Sequence, residues 1–191
     1  IVKSHLVGTR WNDQEPSQRS RSFCFCSLAG AAACAVGAST VEVYESGLGA
    51  MNLPPMRGMF AGARSNKGCH PEFLRLMSEL ASLVADRRIR FELPFVHHTK
   101  AEVTQILRQE GLQELADLTF SCPHYPRPGY RAMQCGWCMG CLGRRQALAS
   151  AGLIDAASRY EVDLFGRSAN DLPSEKLRYP KAISMQVTDL A

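Results

Sequence analysis

Long hydrophobic runs are missing: nowhere in the 191 residues is there a stretch approaching the roughly 20 apolar residues of a membrane-spanning helix. No membrane partner is therefore expected. Charge of one sign is also scarce. Twenty-two basic residues stand against 18 acidic ones, for a net charge of +4, which suits a phosphate-bearing ligand but falls short of a dedicated nucleic-acid binder. Nucleic acid is not the expected partner. No internal repeat is visible, so a solenoid is excluded. The sequence opens on Ile1 and is read as continuing upstream, so it is silent on any leader peptide. What is present is ordinary globular material, 46% hydrophobic and 21% charged. That is enough for one large domain or one domain with a small appendage.

The order of local patterns predicts the fold class. Residues 1–16 are polar and end in Pro16, as a linker or the continuation of something upstream. From about Ser17 to Gly37 the chain reads as a buried helix, apolar on nearly every face, with Cys24, Cys26 and Cys34 as reduced core thiols. "STVEVYE" alternates like a strand. The Gly- and Pro-rich stretch 46–70 reads as a long functional loop. Pro71 is placed to start a helix whose apolar face carries Phe73, Leu74, Met77, Leu80, Leu83 and Val84. "IRFELPF" reads as a strand and "TKAEVTQILRQEG" as a helix, with Thr99 as cap and Glu102 completing a capping box. "LTFSC" reads as a third strand delivering Cys122, and a helix from near Met139 runs to about Gly152. Alternating helices and strands imply a parallel sheet with crossover helices, whose ligands sit outside the carboxyl ends of the strands. The expected divisions are an α/β core over 17–121, a metal-binding knuckle and helix over 122–152, and a tail over 153–191.

"CGWCMGC" places Cys135, Cys138 and Cys141 at two-residue separations, the spacing by which thiolates chelate one tetrahedral ion. Cys122 is the preferred fourth ligand and His124 the competing one. A structural zinc is expected. Iron–sulfur and disulfide readings compete with it, but the Cys-Pro that closes a bacterial ferredoxin pattern is absent. Clustered thiols of this kind point to a reducing, cytoplasmic setting rather than to a disulfide framework.

Taken together, "QRSRSFCFCSLAGAAA", "VYESGLGAMNLP", "CHPEFLRLMSEL", "PFVHHTKAEVTQIL" and "SC…CGWCMGCLGR" resemble the QueC-like proteins. These are 7-cyano-7-deazaguanine synthase and its divergent relatives, within the PP-loop ATP pyrophosphatases. The resemblance spans roughly residues 17–152. It implies a Rossmann-like sheet of the adenine nucleotide alpha-hydrolase kind, with a small zinc-binding knuckle. It also implies an ATP- and Mg-dependent C–N ligase that adenylates a 7-deazaguanine carboxylate and converts it to an amide or a nitrile. The setting implied is queuosine biosynthesis or, for divergent members, antiviral defence. The family's S-G-G-x-D-S nucleotide loop is not among these residues. A homodimer, a protein partner and a non-catalytic zinc-ribbon module, for nucleic-acid binding or for assembly, stay open as alternatives.

The resemblance also suggests roles for individual residues. Lys100, near the leaving pyrophosphate, and Arg21 are the expected catalytic residues. Arg19 joins Arg21 in facing the α-phosphate or ribose. Glu45, Gly47 and Asn52 are expected to read a guanine-like edge, although Asn52 also suits a turn. Arg57, Arg64 and Lys67 would form a basic lid, or simply be solvated loop residues. Thr99 belongs with Lys100 to the "TKAE" element, with plain helix capping as its other reading. Arg144 would point at a phosphate or pin the knuckle. His70, His97 and His98 are read as surface or packing residues.

Overall fold

The computed structural model describes residues 19–52, 67–124, 134–166 and 168–190. In chain order the elements are α1 (Arg19–Val36), β1 (Thr40–Glu42), α2 (Gly47–Met51), α3 (Pro71–Ala85), β2 (Arg90–Glu92), α4 (Lys100–Gln109), α5 (Leu115–Leu118), α6 (Met139–Ser150) and α7 (Arg178–Leu190). The described residues divide into two compact units: one holds those up to Val43 together with Lys67–Glu92, the other holds Tyr44–Asn52 and those from Leu93 onward. The result is a mixed helix and sheet structure whose sheet, among the described residues, consists of two parallel strands.

The first unit carries that sheet. β1 and β2 pair in parallel, with Thr40 opposite Arg90, Val41 opposite Phe91 and Glu42 opposite Glu92. The helix α3 begins at Pro71, as the proline predicts, and His70 caps it by accepting the Glu72 N–H at its Nδ1, 3.2 Å away. Two serines stitch α3 to β2. The hydroxyls of Ser78 and Ser82 accept the N–H groups of Phe91 and Ile89, both at 2.9 Å. These donors face away from β1, so hydroxyls cover an edge that another strand would otherwise pair with.

Two readings of this unit need correction. On α3, only Leu74 and Met77 of the expected apolar face are buried, while Leu83 and Val84 are about four-fifths exposed. The serine contacts turn the face carrying Leu74, Ser78 and Ser82 toward the strand, and the face carrying Leu80, Leu83 and Val84 away from it. On α1, burial is confined to one stripe, Cys26, Gly30 and Ala33, while Phe23, Phe25, Leu28 and Cys34 are exposed. The stripe consists of small residues because the approach is close: a Cβ at Gly30 would stand 3.4 Å from that of Ala81. An all-round apolar composition does not choose a face; side-chain size does.

The second unit is mainly helical. α4 starts with the predicted capping box: Thr99 N–H donates to Glu102 Oε2 at 2.6 Å, and Glu102 N–H donates to Thr99 Oγ1 at 3.2 Å. α6 packs against α4, and Arg108 of α4 donates to the Ala151 carbonyl at 2.6 Å. The short helix α2 lies inside the stretch read as an aperiodic loop; Asn52 ends it in the left-handed conformation, φ 42°.

The third strand does not form. α5 ends at Leu118, and residues 119–122 run on without a strand partner. Side chains occupy the backbone groups a ladder would use. The Ser121 N–H donates to Gln134 Oε1, and the Thr119 carbonyl accepts from both Arg144 and Arg159. What pairs instead, among the described residues, is an isolated parallel bridge between Gln134 and Tyr160.

Candidate metal centre and adjoining cavity

Four thiols meet in the second unit. Cys122 comes from the extended segment after α5, and Cys135 follows the Gln134 bridge. Cys138 caps α6, and Cys141 lies in the first turn of that helix. All four are buried, and their Sγ atoms lie within 4.8 Å of one another. Sulfur–sulfur distances are 3.4 Å for Cys138–Cys141, 3.8 Å for Cys135–Cys141 and 4.0 Å for Cys138–Cys122. A tetrahedron with metal–sulfur bonds of about 2.3 Å has edges of about 3.8 Å. A disulfide needs about 2.05 Å, and all eight cysteines are free thiols. The donor set therefore fits one tetrahedral thiophilic ion of the zinc type.

The surroundings of the four sulfurs act on their charge in opposing ways. Hydrogen bonds from Cys138 and Cys141 hold the Cys135 thiol far below its ordinary range. The bond to Cys135 pushes the Cys138 thiol up to about 12 and raises Cys141 as well. A central dication would ionise the thiols that bind it. Two N–H groups point at sulfur: Cys135 at Cys122 Sγ (3.4 Å) and Cys141 at Cys138 Sγ (3.5 Å). The start of α6 adds its dipole in the same sense. His124, the competing ligand, instead stacks on Trp137 with ring centroids 5.3 Å apart.

Residues beyond α6 complete the wall of this centre. Tyr160 packs on the cysteine cluster and donates its hydroxyl to Asp155 at 2.6 Å. Burial, then the Asp155 contact, raises its pKa. Arg145 pairs with Asp163 at 2.7 Å and lies over the rings of Tyr160 and Phe165. Arg159 reaches back to Asp117 at 2.7 Å. None of these contacts had been assigned from sequence. The alternation of "RYEVDLF", with Tyr160 and Val162 buried, was the signal available.

Arg144 connects the centre to a cavity. One terminal nitrogen donates to the Ala116 carbonyl at 2.6 Å; the other reaches the Thr119 carbonyl at 3.3 Å and the Thr119 hydroxyl. Its Nε lies 3.8 Å from Asp155 Oδ1, an ion pair too long for a hydrogen bond, and both side chains are more than nine-tenths buried. In this geometry the guanidinium ties α6 to α5 and the segment after it. Arg144 also lines a cavity of ≈ 280 Å³ within the second unit. Tyr44, Glu45, Ser46, Phe95, Lys100 and Leu148 are among the other lining residues.

Glu45 and Lys100 are thus brought together with Arg144 around one cavity. Glu45 is held by the Ser46 N–H, which donates to its Oε1 at 3.1 Å, and its carboxylate lies where a side chain at position 49 would be, hence Gly49. Gly47 lies just behind this wall, its N–H donating to the His98 carbonyl at 3.0 Å, and a Cβ there would overlap the Val96 carbonyl oxygen. Asn52 occupies the turn that ends α2, and Thr99 is engaged in the capping box. Arg19 and Arg21 belong to α1 of the first unit, where Arg21 lies over the Phe25 ring at 5.4 Å. Arg57 and Arg64 fall outside the described residues. Among the described residues, no helix is long and apolar enough to cross a membrane.

Comparison with curated proteins gives no significant match. Residues 63–152 do match the family model for queuosine biosynthesis protein QueC, and over that stretch the chain is QueC-like.

Proposed function

We propose that this QueC-like chain takes part in ATP-dependent activation of a 7-deazaguanine carboxylate, followed by amide or nitrile formation. The observation carrying the reading is the cavity walled by Glu45, Lys100 and Arg144 beside the four-cysteine centre, in a unit that contains most of the QueC-matching stretch. Tyr44 and Phe95 offer aromatic surface for a flat ring. The Glu45 carboxylate can accept hydrogen bonds from the amine edge of a guanine-like base. Lys100, the first residue of α4, can neutralise the carboxylate of the substrate or the pyrophosphate that leaves. In this reading Lys100 and Arg21 are the catalytic residues. Arg19, Gly47, Asn52, Arg57, Arg64 and Thr99 belong to the nucleotide- and substrate-binding surface.

Bound at the four thiolates, zinc would be structural, because four protein ligands leave it no open position. Cys122, Cys135, Cys138 and Cys141 would hold it and so fix the Arg144 side of the cavity. ATP with Mg would activate the substrate carboxylate by adenylation. The described residues contain no phosphate-binding loop, and S-G-G-x-D-S does not occur in the sequence. A Rossmann-like extension of the two-stranded sheet belongs to the same reading.

The test is pyrophosphate release by the full protein given ATP, Mg, an ammonium source and 7-carboxy-7-deazaguanine. Release that depends on the deazaguanine, and is lost in Lys100→Ala, supports the reading. Absence of deazaguanine-dependent release overturns it.

A further inference from the structure

Ser46 occupies the N-cap position of α2, with φ −70° and ψ 160°, yet its side chain makes no capping hydrogen bond. Serine is common at that position because its hydroxyl satisfies an otherwise free helix N–H. Here the hydroxyl does not do so. The residue is 6% exposed, and Ser46 Oγ has no hydrogen-bond partner among the described residues. The backbone of Ser46 is fully used: its N–H holds Glu45 Oε1 at 3.1 Å and its carbonyl accepts from Ala50 at 2.8 Å. Only the hydroxyl is spare, and Ser46 lines the cavity beside Glu45 and Lys100.

A buried hydroxyl without a partner is unfavourable for folding, so one on a residue that lines a cavity is readily explained by a ligand that satisfies it. From this we infer that Ser46 is a ligand-binding residue of the cavity, acting beside Glu45 on a planar nitrogen heterocycle that carries an exocyclic amine. The pairing is chemically specific. An ionised carboxylate only accepts hydrogen bonds, while a hydroxyl both donates and accepts. Together they suit an edge on which an amine lies next to a ring N–H, the amine directed to Glu45 and the ring nitrogen to Ser46. An edge with an acceptor beside the amine still satisfies Ser46, by rotation of the hydroxyl. Glu45 therefore selects the edge, and Ser46 anchors it. This inference rests on the function proposed above for the same cavity.

The experiment is calorimetric titration of the purified chain with 7-carboxy-7-deazaguanine, guanine and adenine, for the parent and for Ser46→Ala. Thermal midpoint and zinc content are measured on the same samples. Ser46→Ala should weaken binding of the deazaguanine about tenfold, the value of one buried hydrogen bond. Its thermal midpoint should be unchanged or higher, because no bond within the protein is lost. Ser46→Cys, similar in shape but a poor donor, should also bind weakly. Parent-like affinity in Ser46→Ala overturns the inference and leaves the proposed function standing. Weaker binding that comes with a lowered midpoint or lost zinc assigns Ser46 a structural role and also overturns it. Ser46-dependent binding of adenine or guanine, without the deazaguanine, sustains the inference and overturns the proposed substrate. A parent chain that binds none of the three overturns both.

Discussion

The guanidinium of Arg144 donates to the Ala116 carbonyl at 2.6 Å, joining α6 to α5 across 28 residues of chain. The same side chain serves Thr119 and faces Asp155 at 3.8 Å. Replacing it with methionine would take a donor from the buried Ala116 carbonyl and leave Asp155 without its countercharge. Removing one partner of a buried charge pair costs about 3–5 kcal/mol. Arg144→Met should therefore unfold at clearly lower urea, followed by circular dichroism with zinc present. Adding Asp155→Asn should cost less than the sum of the two single changes. Strict additivity would show that the pair is not coupled.

At Cys138, two roles can be separated by one substitution. Its sulfur is one of the four converging donors and also accepts the Cys141 N–H as the cap of α6. Serine caps helices as well as any residue but is a poor zinc ligand. Cys138→Ser should thus keep the cap and lose the metal, lowering the content from about one zinc per chain. His124→Ala should leave it unchanged. Because the ligands must be thiolates, acidification protonates them and metal is released as pH falls, whereas raising the pH tightens binding. Metal analysis after dialysis at several pH values checks the direction.

Where local chemistry decides the structure, it could be read in advance. Pro71 starts α3, Thr99 and Glu102 form their capping box, and the four cysteines converge. Each depends on residues a few positions apart, or on a donor set with one good geometry. Features decided by distant partners were not legible. Residues 119–122 look like a strand, but Gln134, Arg144 and Arg159 take their backbone groups. The apolar face of α3 was misjudged because Ser78 and Ser82, polar by type, bond to β2. In the cavity, Glu45 and Lys100 were candidates through the family resemblance. Ser46 was not, because an unused hydroxyl shows only once its neighbours are in place.

The capping box predicts a pH effect with a definite sign. The Thr99 N–H, then its hydroxyl, donate to the Glu102 carboxylate and hold its pKa below the usual range. A carboxylate with a depressed folded-state pKa stabilises above its unfolded pKa and loses that contribution as pH falls through the folded one. The stability gap between the parent and Glu102→Gln should therefore be fully present near neutrality and close on acidification below the ordinary carboxylate range. Thr99→Ala should cost about 1 kcal/mol and should also flatten the pH dependence. Thermal unfolding between neutral and acidic pH tests both, and a gap that widens in acid would contradict the assignment.

Gly47 offers the most direct link between backbone packing and the cavity wall. Its N–H donates to the His98 carbonyl at 3.0 Å, and a Cβ at this position would overlap the Val96 carbonyl oxygen. The obstacle is a backbone carbonyl, so a rotamer change cannot relieve it. Gly47→Ala must move α2 or the segment around Val96, and forcing extra volume into packed structure costs about 1–3 kcal/mol. The movement falls next to Ser46 and Glu45, so ligand affinity should drop together with the thermal midpoint. That joint loss separates Gly47→Ala from Ser46→Ala, which should lose affinity alone. If Gly47→Ala instead binds and melts like the parent, the close approach of α2 to Val96 does not hold Ser46 and Glu45 at the cavity.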